Sequence, residues 1–220
     1  MDIQKILADP IVQSVIKEIT ANCSDTLGHK DGYSFITRKN ICQVCYEGAT
    51  KVVFLHNNWD FVIKVPKYYH YRKNNYCQLE VEHYQSAVQF RVEKVLLETK
   101  VLTTLPNDIT LYVQPCFQID HSSFSRDNRK RESLIKRLNN NNYDTPTREK
   151  ALQGMYDSYR IDSLWFCRLV QLYGKKFARS LEKWSQVNEV GDLHSSNIGW
   201  YNNKPIILDY AGYYGDYYYY

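Results

Sequence analysis

No stretch of the chain approaches the ~20 consecutive apolar residues that a membrane-crossing helix needs, so no membrane span is expected. The amino-terminal MDIQKILADPIVQSVIKEI is amphipathic and broken by charges. It lacks the continuous apolar core of a secretion signal, and secretion is not expected. An excess of one charge is missing too: 28 Lys+Arg against 24 Asp+Glu leave +4, with a pI near 8.6. The densest basic stretch, Arg126 to Arg137, is interrupted by acids, so a nucleic-acid-binding face is not expected. A cysteine framework is also lacking. The six cysteines are spread from Cys23 to Cys167, and only Cys42 and Cys45 stand at CxxC spacing. Zinc would require a second pair or suitably spaced histidines, which an isolated Cys77 does not supply. Cysteines of this kind fit buried thiols in a reducing cytosol.

What remains is an ordinary soluble composition. A hydrophobic fraction of 44% supports a real core, and 220 residues suit one domain or two small ones sharing a core. The one strong bias is in tyrosine, 20 in all, with Tyr213, Tyr214 and Tyr217 to Tyr220 crowded at the end. Together with the run Asn139 to Asn142, it points to an AT-rich genome such as a phage or virus, and so to a host cytoplasm.

Hydrophobic periodicity places the elements. Residues 9–20 read as a helix: Asp9 caps, Pro10 fits the first turn, and Ile11, Val12, Val15, Ile16 and Ile19 form one stripe. Then the period changes to two. ICQVCYEG reads as a strand entering a turn at Gly48, KVVFL as a second strand, HNNWD as a turn and FVIKV as a third strand. Residues 75–88 are helix-like, 92–102 are ambiguous between helix and strand, and 111–117 form a strand. The hydrophilic stretch 120–148 reads as a linker with a helix near 131–138 and another starting near Pro146. Residues 162–184 carry the longest helical pattern, with Gly174 its weak point. IGWY and PIIL flank an Asn-rich turn as two short strands.

The chemistry concentrates in GDLHSSNIGWYNNKPIILDYAG, residues 191–212. Asn197 and Asp209 bracket the hairpin, and strands of matched length return the chain to its starting end, which makes these two neighbours. Two oxygen donors fixed there suit Mg²⁺, which accepts a few protein oxygens and keeps positions for phosphate and water. Asp192, on the preceding loop, is placed to act as a base for an attacking hydroxyl. Lys64 stands in an otherwise apolar strand, where a charge needs a partner. His194 is read as bracing the loop, Ser195 and Ser196 as having no nucleophile context, and His83 as an amphipathic-helix residue.

This segment resembles the catalytic and metal loops of the protein-kinase-like superfamily, which includes aminoglycoside and choline phosphotransferases. The DLHxxN wording is closer to the phosphotransferase form, and Ile206-Ile207-Leu208-Asp209 matches the apolar-apolar-Asp that ends a strand. Upstream, Phe61-Val62-Ile63-Lys64 resembles the third-strand VAIK, and Glu47 to Val53 a degenerate Gly-rich loop. Of three glycines only Gly48 is present; Tyr46 and Lys51 stand where the others would be, with Lys51 offering a charge instead.

The resemblance spans roughly 41–212. It implies an α+β, two-lobed kinase-like fold with Mg-ATP bound between the lobes. The implied divisions are a helical extension at 1–40, an N-lobe at 41–118, a truncated helical C-lobe at 119–212 and a tyrosine-rich tail at 213–220. In the roles so implied, Lys64 orients the phosphates and Glu80 is its chosen partner, with Glu82 and Glu98 as alternatives. Gly48 and Lys51 line the nucleotide, Asn197 and Asp209 hold Mg²⁺, and Asp192 serves the acceptor hydroxyl.

Val190-Gly191 replaces the His-Arg of the eukaryotic loop, and with 11 residues after Asp209 no activation segment is expected. The expected activity is transfer of the γ-phosphate to a protein hydroxyl, the chain's own tyrosines included. A small-molecule kinase and a catalytically silent protein-binding module are the alternatives. The expected partner is a protein substrate or host protein.

Overall fold

The computed structural model describes residues 1–23, 33–45, 50–67, 75–116, 163–190, 193, 197–201 and 204–211. The expected helices at 131–138 and Pro146, together with Gly48, Asp192, His194, Ser195, Ser196 and the tyrosine tail, lie outside these residues. The fold is α+β. The chain divides into two compact units, Met1–Val81 with Glu98–Phe117, and Glu82–Leu97 with Gln118–Tyr220.

The first unit is built on a five-stranded antiparallel sheet of β1 (Gln43–Cys45), β2 (Lys51–Leu55), β3 (Phe61–Pro66), β4 (Lys100–Thr104) and β5 (Thr110–Pro115), in the order β1-β2-β3-β5-β4. Strand alternation sorts its side chains onto two faces. Val52, Phe54, Phe61, Ile63, Val65, Leu111 and Val113 share one apolar core with Val12, Val15, Ile19 and Ile36. Those four come from helices α2 (Pro10–Asn22) and α3 (Ser34–Arg38), which follow a short α1 (Ile3–Leu7). Helices α1 to α3, which fall within the 1–40 expected as an extension, therefore supply residues to the core on this face of the sheet. In α2 the Asp9 carboxylate accepts from the amides of Ile11 and Val12 at 2.8 and 3.0 Å, and Pro10 occupies the first position. At its other end, the Asn107 side-chain amide from the β4–β5 turn donates to the carbonyls of Ile19 and Cys23.

The opposite face carries the polar positions. Lys64 lies directly across from Val53 on one side and Tyr112 on the other, and Val62 across from Gln114. Helix α4 (Tyr76–Phe90) begins over this unit, with Tyr76, Cys77 and Glu80 buried. Its start is fixed to the sheet through Asn75. That side chain accepts from the Gln78 amide at 3.0 Å and donates to the Tyr112 hydroxyl at 2.8 Å. β3 is buried along its whole length, which explains why FVIKV reads as an apolar run rather than a strict alternation.

In the second unit, the rest of α4, a 3-10 turn at Glu93–Val95, α5 (Ser163–Val187) and the hairpin of β6 (Ile198–Tyr201) and β7 (Lys204–Ile207) enclose a second core. Its largest member is Trp184, fully buried. α5 is interrupted at Gly174, whose φ of 82° and ψ of 165° no helix accommodates. The segment 92–102, ambiguous by periodicity, is neither one helix nor one strand. It passes from the 3-10 turn through a parallel bridge between Leu96 and Ile207 and becomes a strand only at Lys100. Among the described residues no helix is long and apolar enough to cross a membrane.

Candidate functional site

The polar face of the first unit holds a buried charge cluster. Lys64, from the middle of β3, donates to both Glu80 oxygens, at 2.8 Å to Oε2 and 3.1 Å to Oε1. Lys51, at the start of β2, donates to Oε1 at 2.6 Å. Thr99 donates its hydroxyl to Oε2 at 2.8 Å, and Gln114 Nε2 donates to the Thr99 oxygen at 3.1 Å. Glu80 is 0% exposed, and both lysine side chains are within 5% of complete burial. Taking such ions out of water costs several kcal/mol each, so the set persists only because every Glu80 lone pair is engaged.

The three candidates for the Lys64 partner separate cleanly. Glu80 lies on the buried side of α4 and makes the pair. Glu82 is exposed, two residues on and turned away. Glu98 precedes β4 and pairs with Lys100 at 3.0 Å near the surface. Lys51, expected as a charge standing in for a loop glycine, is a strand residue, and its amine engages Glu80. Register is the reason. Lys51 lies opposite Pro66 and Lys64 opposite Val53 in the same antiparallel pair, which puts both lysines on one face.

In the second unit, the hairpin register runs from Tyr201 opposite Lys204 to Ile198 opposite Ile207. One step beyond, the Asn197 carbonyl accepts from the amides of Leu208 at 2.8 Å and Asp209 at 3.4 Å. Asn197 and Asp209 are therefore brought together at the open end of the ribbon, as their spacing requires. Asp209 Oδ1 also accepts from the Ala211 amide at 3.4 Å, a small Asx turn that orients the carboxylate. An Asn carbonyl oxygen and a carboxylate are hard donors of the kind Mg²⁺ takes, and two protein ligands suffice for an ion that keeps its water. Among the described residues no three His, Cys, Asp or Glu side chains form a metal cluster.

Two contacts carry no signal in the sequence. His83 is half-buried, and its Nδ1 lies 2.9 Å from the Tyr210 carbonyl. Tyr210 itself is fully buried, its hydroxyl donating to the Leu97 carbonyl at 2.7 Å. No local pattern marks either one, since the partners lie more than a hundred residues apart. Four of the described cysteines behave as small hydrophobes. Cys23, Cys42, Cys77 and Cys116 take part in no disulfide, and burial pushes Cys42 up to about 12 and Cys23 to about 11.

Fold and sites define an α+β protein with a buried lysine–glutamate cluster and an Asn/Asp hairpin end. No family model matches the chain, and no curated protein matches it.

Proposed function

We propose that this chain is a Mg-ATP-dependent phosphotransferase with a two-lobed protein-kinase-like fold, transferring the γ-phosphate to a protein hydroxyl. The observation that carries the reading is the Lys64–Glu80 pair at 2.8 Å, a strand lysine held by a helix glutamate under full burial. An ammonium so fixed presents a preorganised charge to the α/β-phosphates without reorganising during the reaction. Asn197 and Asp209 would hold Mg²⁺, which when bound neutralises charge on the phosphate oxygens. The acceptor hydroxyl gives its proton to the Asp192 carboxylate as its oxygen bonds to the γ-phosphorus. The bond from that phosphorus to the β–γ bridging oxygen breaks, and ADP leaves with the electron pair. The protein's part is positioning and charge, because the transferred group needs little covalent help.

The test uses the purified chain, Mg²⁺ and γ-labelled ATP, with protein acceptors, the chain's own tyrosines and aminoglycoside or choline acceptors in parallel. Label should appear on protein with the native chain and be lost with Asp192→Ala and Asp209→Ala. Label on the small acceptors instead moves the assignment to a small-molecule kinase. No label anywhere, with no Mg-ATP effect on melting, replaces the enzyme with a silent protein-binding module.

A further inference from the structure

We infer that His83 is a positioning residue for Asp209, acting through the main chain of Tyr210; this rests on the reading of Asp209 as a metal donor. Tyr210 directly follows Asp209 and is held at two points. Its hydroxyl donates to the Leu97 carbonyl at 2.7 Å, and its own carbonyl lies 2.9 Å from His83 Nδ1. A carbonyl only accepts, so Nδ1 carries the hydrogen, in the neutral ring or the imidazolium alike. The contact thus survives either charge state of the ring. His83 is itself braced: its carbonyl accepts from Trp184 Nε1 at 3.0 Å. The Trp184 ring meets both His83 and Tyr210 edge-on, at 6.5 and 6.1 Å between centroids.

The consequence for Asp209 is geometric. On one side its amide is tied to the Asn197 carbonyl at 3.4 Å, a long bond that alone leaves the carboxylate loosely aimed. On the other side the next peptide is fixed by an imidazole that the Trp184 indole braces. Two fixed peptides set the Cα–Cβ direction of Asp209, and they hold the Ala211 amide in place to donate to its Oδ1 at 3.4 Å. The clamp acts on the aim of this donor through the Tyr210 main chain.

Two measurements on the full chain test this. The first is amide hydrogen exchange of the peptide covering 207–211 in the ligand-free protein. The second is the Mg²⁺ concentration giving half of the ATP-induced melting shift. His83→Leu keeps bulk and removes the donor; it should speed exchange and raise the Mg²⁺ requirement, each about tenfold, as loss of one buried hydrogen bond implies. His83→Asn, whose amide nitrogen falls near the Nδ1 position, should restore both to within about twofold of native. His83→Gln, with its donor one bond too far out, replaces the leucine variant if that one does not fold. Unchanged exchange in His83→Leu overturns the clamp. Faster exchange with an unaltered Mg²⁺ requirement overturns its role in aiming Asp209. A native chain indifferent to Mg-ATP sinks the phosphotransferase reading and the metal role together, while exchange still decides whether His83 holds Tyr210.

Discussion

At the scale of single residues, a fully buried carboxylate that receives two ammonium groups is stable only as a set. Glu80→Gln keeps the shape, but it swaps one acceptor oxygen for an N–H₂ that faces cations at 2.8 Å or closer. Breaking a buried pair from one side costs about 3–5 kcal/mol, and urea unfolding should show a loss of that size for Glu80→Gln. Lys64→Met and Lys51→Met leave Glu80 another ammonium, so each should cost less, about 1.5–3 kcal/mol. The double variant should cost more than the two singles summed, because the last lysine to leave strands the carboxylate. Strict additivity would mean that the two amines do not share Glu80. A separate residue-scale effect comes from Cys42, whose thiol burial raises to about 12 from an ordinary value near 9. The folded state then holds this proton more tightly than the unfolded chain. Its contribution is intact below pH 9 and declines as pH climbs from there toward 12. Urea midpoints at about pH 8 and about pH 10.5 should therefore fall further apart in the native chain than in Cys42→Ala.

At the scale of elements, local rules account for some boundaries and long-range contacts for others. α2 begins where Asp9 and Pro10 place it, and its cap bonds at 2.8 and 3.0 Å predict that Asp9→Ala costs ~1 kcal/mol by thermal or urea unfolding. The β2–β3 hairpin is equally legible: KVVFL, HNNWD and FVIKV announce two strands and a turn, and Lys64 within the apolar run announces a buried partner. Its register also puts Lys51 beside Lys64, a consequence available from the sequence once Phe54 is set opposite Ile63. Gly174 is visible as a weak point in a helical pattern, and the backbone there is not helical at all. A methyl group placed on its Cα would meet nothing within 4 Å, so Gly174→Ala has room but not the backbone freedom. The alanine should cost about 1–3 kcal/mol from its strained φ alone, and an unchanged melting temperature would mean that the helix straightens through residue 174 without penalty. The segment 92–99 is illegible for a different reason. Its bridge to Ile207 and the Leu97 amide bond to the Ile207 carbonyl join positions over a hundred apart, which no window of periodicity registers.

At the scale of the whole molecule, amphipathic stripes show that faces are buried but not what buries them. The stripe of 9–20 therefore reads as an extension, whereas it completes the core of the first unit. The candidate site divides in the same way. Asn197 and Asp209 can be paired by counting along a hairpin, while the hold on Tyr210 cannot. The functional proposal makes one demand of the intact chain that separates charge from fold. At a hundred times its Kd, Mg-ATP stabilises whatever binds it by ~2.7 kcal/mol. Asp209→Asn removes the carboxylate charge and leaves the main-chain bonds from 208 and 209 to Asn197 in place; its amide oxygen can still accept from Ala211. The ligand-free variant should melt with the native chain, keep the part of the shift that ATP alone produces, and lose the further increment from Mg²⁺. Lys64→Met should show the opposite loss, because a phosphate that no longer meets the Lys64 ammonium gains less from the protein before the metal arrives. Melting curves with ATP and EDTA, then with ATP and Mg²⁺, distinguish the two. If Asp209→Asn gains as much from Mg²⁺ as the native chain, the carboxylate at the end of the ribbon is a turn residue and nothing more.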